Sequence, residues 1–355
     1  LHVVFNGEIL NYREVRSRLS YPFRTSGDTE TLLAAFDHDG PSFVEQLAGQ
    51  FAFGIHDRSD GSVWLYRDRL GILPLYYWHD GEQLVFASEI KAMLPALPGR
   101  PEVDLQGLAA YLAHRSVPAP GTLFAGVRKL RPGHRLRATR NGSIRIDRWW
   151  SVPEADSTEL VSGEVATRLV ANALRASVER NLVADVPVGS YLSGGVDSSL
   201  IVALMTELVG SEKVHTFSAG FDDPEYDEVH HALRVSEHLG TVHHEVTVTT
   251  DDFERLWPLL TWHRDAPISE PADVAVFRLA ELARQHAELE EQKARSEQLL
   301  LNILPESVAD ELKAGAAIIA DDVSEVTVVF ADIVNFTPLT TRVGADELVA
   351  LLDRV

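Results

Sequence analysis

The sequence predicts a multidomain protein, α+β over residues 1–150 and parallel α/β over 162–285. Two patterns predict this. The first region carries short β-like runs broken by Gly, Asp and Pro. The second alternates strand and helix with short links, the signature of a parallel sheet. A Gly-rich loop, SGGVDSS at 193–199, stands between one such strand and the next helix.

In the first region LHVVFNGE, FAFGIHDRSDGSVWLYRD and LVFAS read as strands, with Ser59, Asp60 and Gly61 as a hairpin turn. TETLLAAFDHD reads as a helix, with Asp28 or Thr29 available as its cap. In the second region EVATRLVANALRASVERNL reads as a helix and VPVGSYL as a strand. After the Gly turn come a helix from Ser199, the strand VHTFSAG, the helix EVHHALRVSEHLG and the strand HHEVTV. From Gln285 to about Lys313 the composition changes to helix formers. Leu282, Leu289, Ser296 and Ile303 fall seven apart, a heptad line interrupted by a Ser. Pro305 suits the first turn of a further helix and Gly315 its end. VTVVFADIVNFT then reads as a strand and ADELVALLDRV as a helix.

The chain has 355 residues, enough for two or three cores. Its 53 acidic against 32 basic residues give a net charge of -21, which argues against nucleic acid as a partner. No run approaches the length of a membrane span. With no cysteine, disulfides, thiolate metal sites and a thiol nucleophile are excluded from these residues. This composition fits a cytoplasmic protein.

The loop carries the most specific chemistry. Gly194 and Gly195 let backbone N–H groups approach a phosphate, and the following helix adds its positive end. Ser193, Ser198 and Ser199 offer hydroxyls. Asp197 suits a phosphate site only if it holds Mg²⁺ there.

SGGVDSS resembles the loop of the PP-loop ATP pyrophosphatases, and DVPVGSYLSGGVDSSLI resembles the synthetase domain of glutamine-dependent asparagine synthetases. Upstream, FNGEILNYREVR, SGDTETLL, LAGQFAFGIHD, YRDRLGILPLYY, FASEIKAML and VRKLRPGHRLR are similar, in order, to that family's glutaminase domain. The resemblance covers about residues 1–285. It implies an incomplete Ntn-type glutaminase sandwich at 1–150 and a partial PP-loop (HUP-like) domain at 162–285. It implies Asn6 and Gly7 as an oxyanion hole, with Glu8 and Asp28 on the glutamine amino group. Taken alone, Glu8 reads as a turn residue and Asp28 as a helix cap. It further implies ATP contacts at Leu192, Ser193, Gly194, Gly195, Asp197, Ser198, Ser199 and Ala219. The implied reaction uses aspartate, glutamine, ATP and Mg²⁺ to make asparagine. The family's N-terminal Cys and its second ATP motif, SGEGxDE, are not among these residues.

SEQLLLNILPESVADELKAG and EVTVVFADIVNFTPLTTRVGADELVALLDRV resemble the signalling helix and opening of class III adenylate/guanylate cyclases. The resemblance implies a linker at 286–320 and the first elements of a ferredoxin-like domain at 321–355. Asp332 and Ile333 would bind its metals. A homodimer through the helix at 286–304 or the synthetase part is then possible. The change near Gln285 also reads as a joint between two gene fragments, and the synthetase segment, lacking the strands that should cover its sheet, would leave an apolar sheet face and edge exposed. His230, His231, His238, His243 and His244 cluster in sequence but read as surface and packing residues rather than a metal site. DDPEYDE at 222–228 reads as an acidic turn, and Trp149, Trp150, Trp257 and Trp262 as core.

Overall fold

A computed structural model describes residues 1–154, 162–223 and 227–303, with side chains through 292. The chain opens with β1 (His2–Ile9), α1 (Tyr12–Ser17), α2 (Asp28–Asp39), β2 (Gly49–Asp57) and β3 (Ser62–Arg67). Then come β4 (Tyr76–His79), β5 (Leu84–Ala87), α3 (Ile90–Met93), α4 (Leu105–His114), β6 (Arg128–Lys129), β7 (His134–Ala138) and β8 (Ile144–Arg148). The second half contains α5 (Gly163–Asn181), β9 (Gly189–Tyr191), α6 (Val196–Val209), β10 (His215–Phe221) and α7 (Val229–Leu239). It continues with β11 (Val242–Val248), α8 (Thr250–Arg264) and α9 (Ala272–Ile303).

Strands β1-β2-β3-β7-β8 form an antiparallel sheet, and β5-β4-β6 a smaller one. The period of two along β2 divides its side chains between two cores. Phe51, Phe53 and Ile55 pack with Leu32, Phe36 and Phe43 beneath α2. Ala52 faces the other way and packs with Leu65, Tyr77 and Leu136 between the two sheets. Gly54 lies on that second face, where an added Cβ would come within 2.7 Å of the Phe86 ring. The predicted hairpin forms: Gly61 N–H donates to Asp57 O at 2.8 Å.

The second half holds a parallel sheet, β11-β10-β9. Thr216 faces α7, its hydroxyl 3.1 Å from Thr241 Oγ1, which bonds Ser236 of α7. His215 and Phe217 point to the opposite face, against His286 of α9. α9 therefore covers the part of the apolar sheet face at His215 and Phe217, while Tyr191 on the neighbouring edge strand β9 is 45% exposed. Phe217 is only 5% exposed, because α9 runs unbroken through residue 285.

Several elements differ from expectation. α6 starts at Val196, three residues early, so Asp197, Ser198 and Ser199 occupy its first turn. Neither Asp28 nor Thr29 caps α2; Gly27 does, with no side-chain bond. The Asp28 carboxylate is instead taken by the Ile9 N–H at 3.1 Å. Trp149 stacks on Phe51 as expected, but Trp257 and Trp262 are exposed, at 41% and 58%. The residues 304–355, including the cyclase-like stretch, Asp332 and Ile333, lie outside the described residues, as does part of DDPEYDE.

A buried carboxylate helps join the two halves. Asp265 ends α8 in the left-handed conformation, φ 53°, and accepts from the N–H of Ile90 at 2.6 Å and of Lys91 at 3.1 Å. Lys91 Nζ donates to His263 O at 3.1 Å and pairs with Glu89. Replacing Asp265 by Ala strands two N–H groups. The Asp265→Ala protein is expected to lose about 2–3 kcal/mol of stability, read as a lower urea midpoint with an unchanged slope.

A capping box fixes the start of α8: Asp252 N–H donates to Thr249 Oγ1 at 3.3 Å, and Thr249 N–H to Asp252 Oδ2 at 3.1 Å. Burial pushes the Asp252 carboxyl up. The hydrogen bond from Arg255, the Thr249 N–H and the nearby Arg278 outweigh it and hold the carboxyl below its ordinary value. The folded state thus favours the carboxylate, and that stabilisation is present at neutral pH and lost as pH falls through the carboxyl's folded value. The stability gap between wild type and Asp252→Asn should therefore shrink as pH drops below about 4, measured by urea titrations across that range.

Candidate functional site

Two clefts gather the residues singled out in the sequence. The first lies at the end of β1. Gly7 has φ 133°, and a Cβ there would meet Gln50 O at 2.1 Å, Phe51 Cα at 2.8 Å and Leu73 Cδ1 at 2.9 Å. Only glycine lets β1 and β2 pass this closely under Leu73. Leu73 is itself placed by Asp68, a buried residue the sequence reading overlooked. Its carboxylate accepts from the N–H of Leu70, Ile72 and Leu73 at 3.0–3.1 Å, gathering the turn that follows β3. The neighbouring Arg67 donates to the carbonyls of Leu73, Gly71 and Leu130 at 2.7–2.8 Å. Burial holds the Arg67 guanidinium below its ordinary value. The RD pair was visible in YRDRLG, but nothing in its spacing announced a loop organiser.

Gly7, Glu8 and Asp28 line one cleft of about 170 Å³, together with Tyr12 and with Val183, Ala184 and Asp185 from the second half. Asn6 is not in that lining; its amide Nδ2 donates to Ser88 Oγ at 3.1 Å. Glu8 is exposed at the mouth. The approach to Asp28 is ordered by Glu30, which accepts from the Thr25 hydroxyl at 2.7 Å and the Arg24 N–H at 2.9 Å. The Thr25 hydroxyl and the backbone N–H groups of Arg24 and Thr25 hold the Glu30 carboxyl below its ordinary value.

The second cleft sits at the carboxyl ends of β9 and β10, where open α/β sheets bind ligands. It has a volume of about 270 Å³, and its wall includes Leu192, Ser193, Ala219, Ala232, Ala275 and Leu279. Leu192 is buried, its N–H donating to Phe217 O at 2.9 Å while Ser218 Oγ donates to its carbonyl. The loop beyond is closed on itself. Ser193 Oγ lies 3.0 Å from Ser198 Oγ and accepts from Gly195 N–H at 3.3 Å, and Ser199 Oγ donates to Gly195 O at 2.7 Å. Gly194 has φ 76°, and a Cβ there would strike His231 Cβ at 2.5 Å. Gly194, Gly195, Asp197, Ser198 and Ser199 lie outside the cleft lining, on the loop and helix start beside it. Asp197 is exposed in the first turn of α6. A lone exposed carboxylate at a helix start suits Mg²⁺ carried mainly by phosphates and water.

Of the clustered histidines, His230, His231 and His238 are exposed on α7. His243 lies 2.8 Å from Thr216 Oγ1, and burial pushes its imidazole below the ordinary value. These four match a surface and packing role. His244 does not: it meets His215 and His286.

Residues 1–150 match the glutamine amidotransferase domain, and 169–289 match asparagine synthase. This pairing of domains over residues 1–289 resembles that of the glutamine-hydrolysing asparagine synthetases. The chain is 35% identical over 291 residues to asparagine synthetase [glutamine-hydrolyzing] 1 of Bacillus subtilis, covering 80% of this chain and 45% of that one. It is 31% identical over 290 residues to a putative asparagine synthetase 2 of Methanocaldococcus jannaschii, covering 80% and 55%. A putative asparagine synthetase of Mycobacterium tuberculosis is 33% identical over 333 residues, covering 91% and 48%. The chain thus spans about half the length of these relatives. The mycobacterial alignment takes in more of the chain than residues 1–289 make up, so it runs past the proposed joint at 285. The comparisons give the cyclase resemblance and the fusion no support. Among the described residues no helix is long and apolar enough to cross a membrane.

The close passage at Gly7 can be measured. Gly7→Ala is expected to cost about 3 kcal/mol or more, from backbone strain and overlap together. Gly81, at φ 104° with nothing within 4 Å of an added Cβ, carries the strain alone. Gly81→Ala should cost only about 1 kcal/mol, both read by urea unfolding.

Proposed function

We propose that this chain provides the glutamine and ATP sites of an asparagine-forming amidotransferase. The observation that carries the reading is the loop 193–199, folded as a strand–loop–helix beside an apolar cleft at the strand ends. Adenine would lie between Ala219, Ala275 and Leu279, and the phosphates on the backbone N–H groups of Gly194 to Ser198. Those of Val196 to Ser198 open a 14-residue helix, where first-turn donors have no intrahelical carbonyl, and Gly194 and Gly195 lead into it, the Gly195 N–H turning from Ser193 Oγ to reach a phosphate. The loop has no Lys or Arg, so in a chain of net charge -21 the phosphates depend on those donors and on Mg²⁺. Asp197 and the phosphates would hold the ion, which supplies charge neutralisation during attack at the α-phosphorus.

The aspartate β-carboxylate then attacks the α-phosphorus of ATP and pyrophosphate leaves. Ammonia attacks the resulting acyl-adenylate carbonyl, expelling AMP and, after loss of a proton, leaving asparagine. In the first cleft Glu8 and Asp28 would hold the glutamine ammonium. The Gly7 N–H and the Asn6 amide would face the developing oxyanion, Asn6 after turning from Ser88. The thiol that would attack glutamine is not among these residues, and no step is assigned to it.

Given ATP, Mg²⁺, aspartate and ammonia, the protein is expected to release AMP and pyrophosphate in equal amounts, dependent on aspartate. Ala275→Phe fills the apolar cleft and should weaken ATP binding at least about tenfold. Release of ADP and phosphate, or ATP affinity unchanged in Ala275→Phe, would count against the assignment.

A further inference from the structure

Three imidazoles from three separate elements converge on the sheet face opposite α7. His215 opens β10, His244 lies within β11, and His286 projects from α9. One ring nitrogen from each can be chosen so that all three lie within 4.8 Å of one another. His215 Nδ1 and His244 Nε2 are already 3.0 Å apart. The His286 ring centre is 4.3 Å from that of His244 and 4.7 Å from that of His215. All three rings are half-buried.

We propose that His215, His244 and His286 form a transition-metal site of the zinc class. In a tetrahedral shell with Zn–N bonds of 2.0–2.1 Å, the ligand nitrogens stand about 3.3 Å apart. Small rotations of the three rings reach that spacing. Imidazole donors without carboxylates select zinc, cobalt, nickel or copper over Mg²⁺ or Ca²⁺. The site is therefore chemically distinct from any Mg²⁺ carried by a nucleotide. The partial exposure leaves a fourth position for water. Phe217, buried between the strands and α9, walls one side, its ring 5.0 Å from His244 and 6.2 Å from His286.

The parallel register explains the placing. Phe217 stands opposite His244, so the side chains at 215, 217 and 244 share one face of the sheet. That face receives α9. Ala272, Ala275 and Leu279 of the same helix line the cleft at the strand ends, and His286 follows Leu279 by two turns, about 10 Å along the axis. A metal on the triad would clip α9 to β10 and β11 and fix the height at which its small residues border the cleft. The inference stands on the triad's geometry and does not need the nucleotide assignment.

Protein stripped with a chelator and dialysed should bind one equivalent of Zn²⁺ in a calorimetric titration. Co²⁺ in its place should give the intense visible absorption of a four-coordinate site. His286→Gln and His244→Gln should each weaken Zn²⁺ by at least about tenfold and abolish the cobalt band. His230→Gln with His231→Gln, on exposed α7, should leave both unchanged. The chain has 14 histidines, so stoichiometry alone does not decide. Zn²⁺ affinity equal in wild type and His286→Gln would overturn the proposal. So would wild-type protein with no cobalt band, a readout that does not depend on any variant folding. A simple hydrogen-bonded histidine stack would give both of these results.

Discussion

Asp265 is the contact on which the relation between the two halves depends. Its side chain is 6% exposed, and both oxygens are engaged by N–H groups of residues 90 and 91. The left-handed backbone at Asp265 turns the chain out of α8 and into the segment leading to α9. Two further bonds follow the same seam, Tyr111 OH to Pro267 O at 3.0 Å and Arg115 to Glu270 at 3.1 Å. The Arg115 pair is exposed and contributes little. The carboxylate, whose side chain is mostly buried, contributes more, because its loss leaves two backbone donors without their partner. Through this turn the sheet–sheet half sets where α9 begins, and so where Ala272, Ala275 and Leu279 meet the strand ends.

Each cleft depends on backbone approach that a side chain would block. At Gly7 the obstacle is the neighbouring strand and Leu73; at Gly194 it is His231 and Ala232 on α7. Both glycines have φ values that other residues rarely adopt. The same economy governs charge. The candidate phosphate site has backbone dipoles and serine hydroxyls where basic side chains might be expected, and the lone acid, Asp197, lies in solvent. Under the proposed function, such a site would take a phosphate that arrives with its own cation.

The parallel sheet was legible because each strand and helix there is a separate apolar run with Gly or Asp between. The antiparallel half was legible as strands, but its pairing was not. β3 pairs with β7, some seventy residues later in the chain, and no local pattern states that. The start of α6 was misplaced because Val196 and Asp197 look like loop residues, yet both lie in its first turn, exposed to solvent. Asp28 has the form of a cap, yet Ile9 claims its carboxylate from a distant strand. Trp257 and Trp262 were read as core on size alone, whereas the buried face of α8 is carried by Leu256 and Leu260. The triad was hidden for a related reason. The visible cluster lay along α7 and β11, while the converging rings stand 29 and 42 positions apart in sequence. Register and a crossing helix, not spacing, bring them together.

The central claim is that a nucleotide occupies the cleft between Ala219 and Leu279 with its phosphates on the loop 193–199. A crystal structure of the protein soaked with ATP and Mg²⁺ tests it most directly. The account predicts adenine density against Ala219, Ala275 and Leu279, with phosphate oxygens on the N–H groups of Gly194 to Ser198. Nucleotide bound elsewhere, or an empty cleft at saturating ATP, would contradict it.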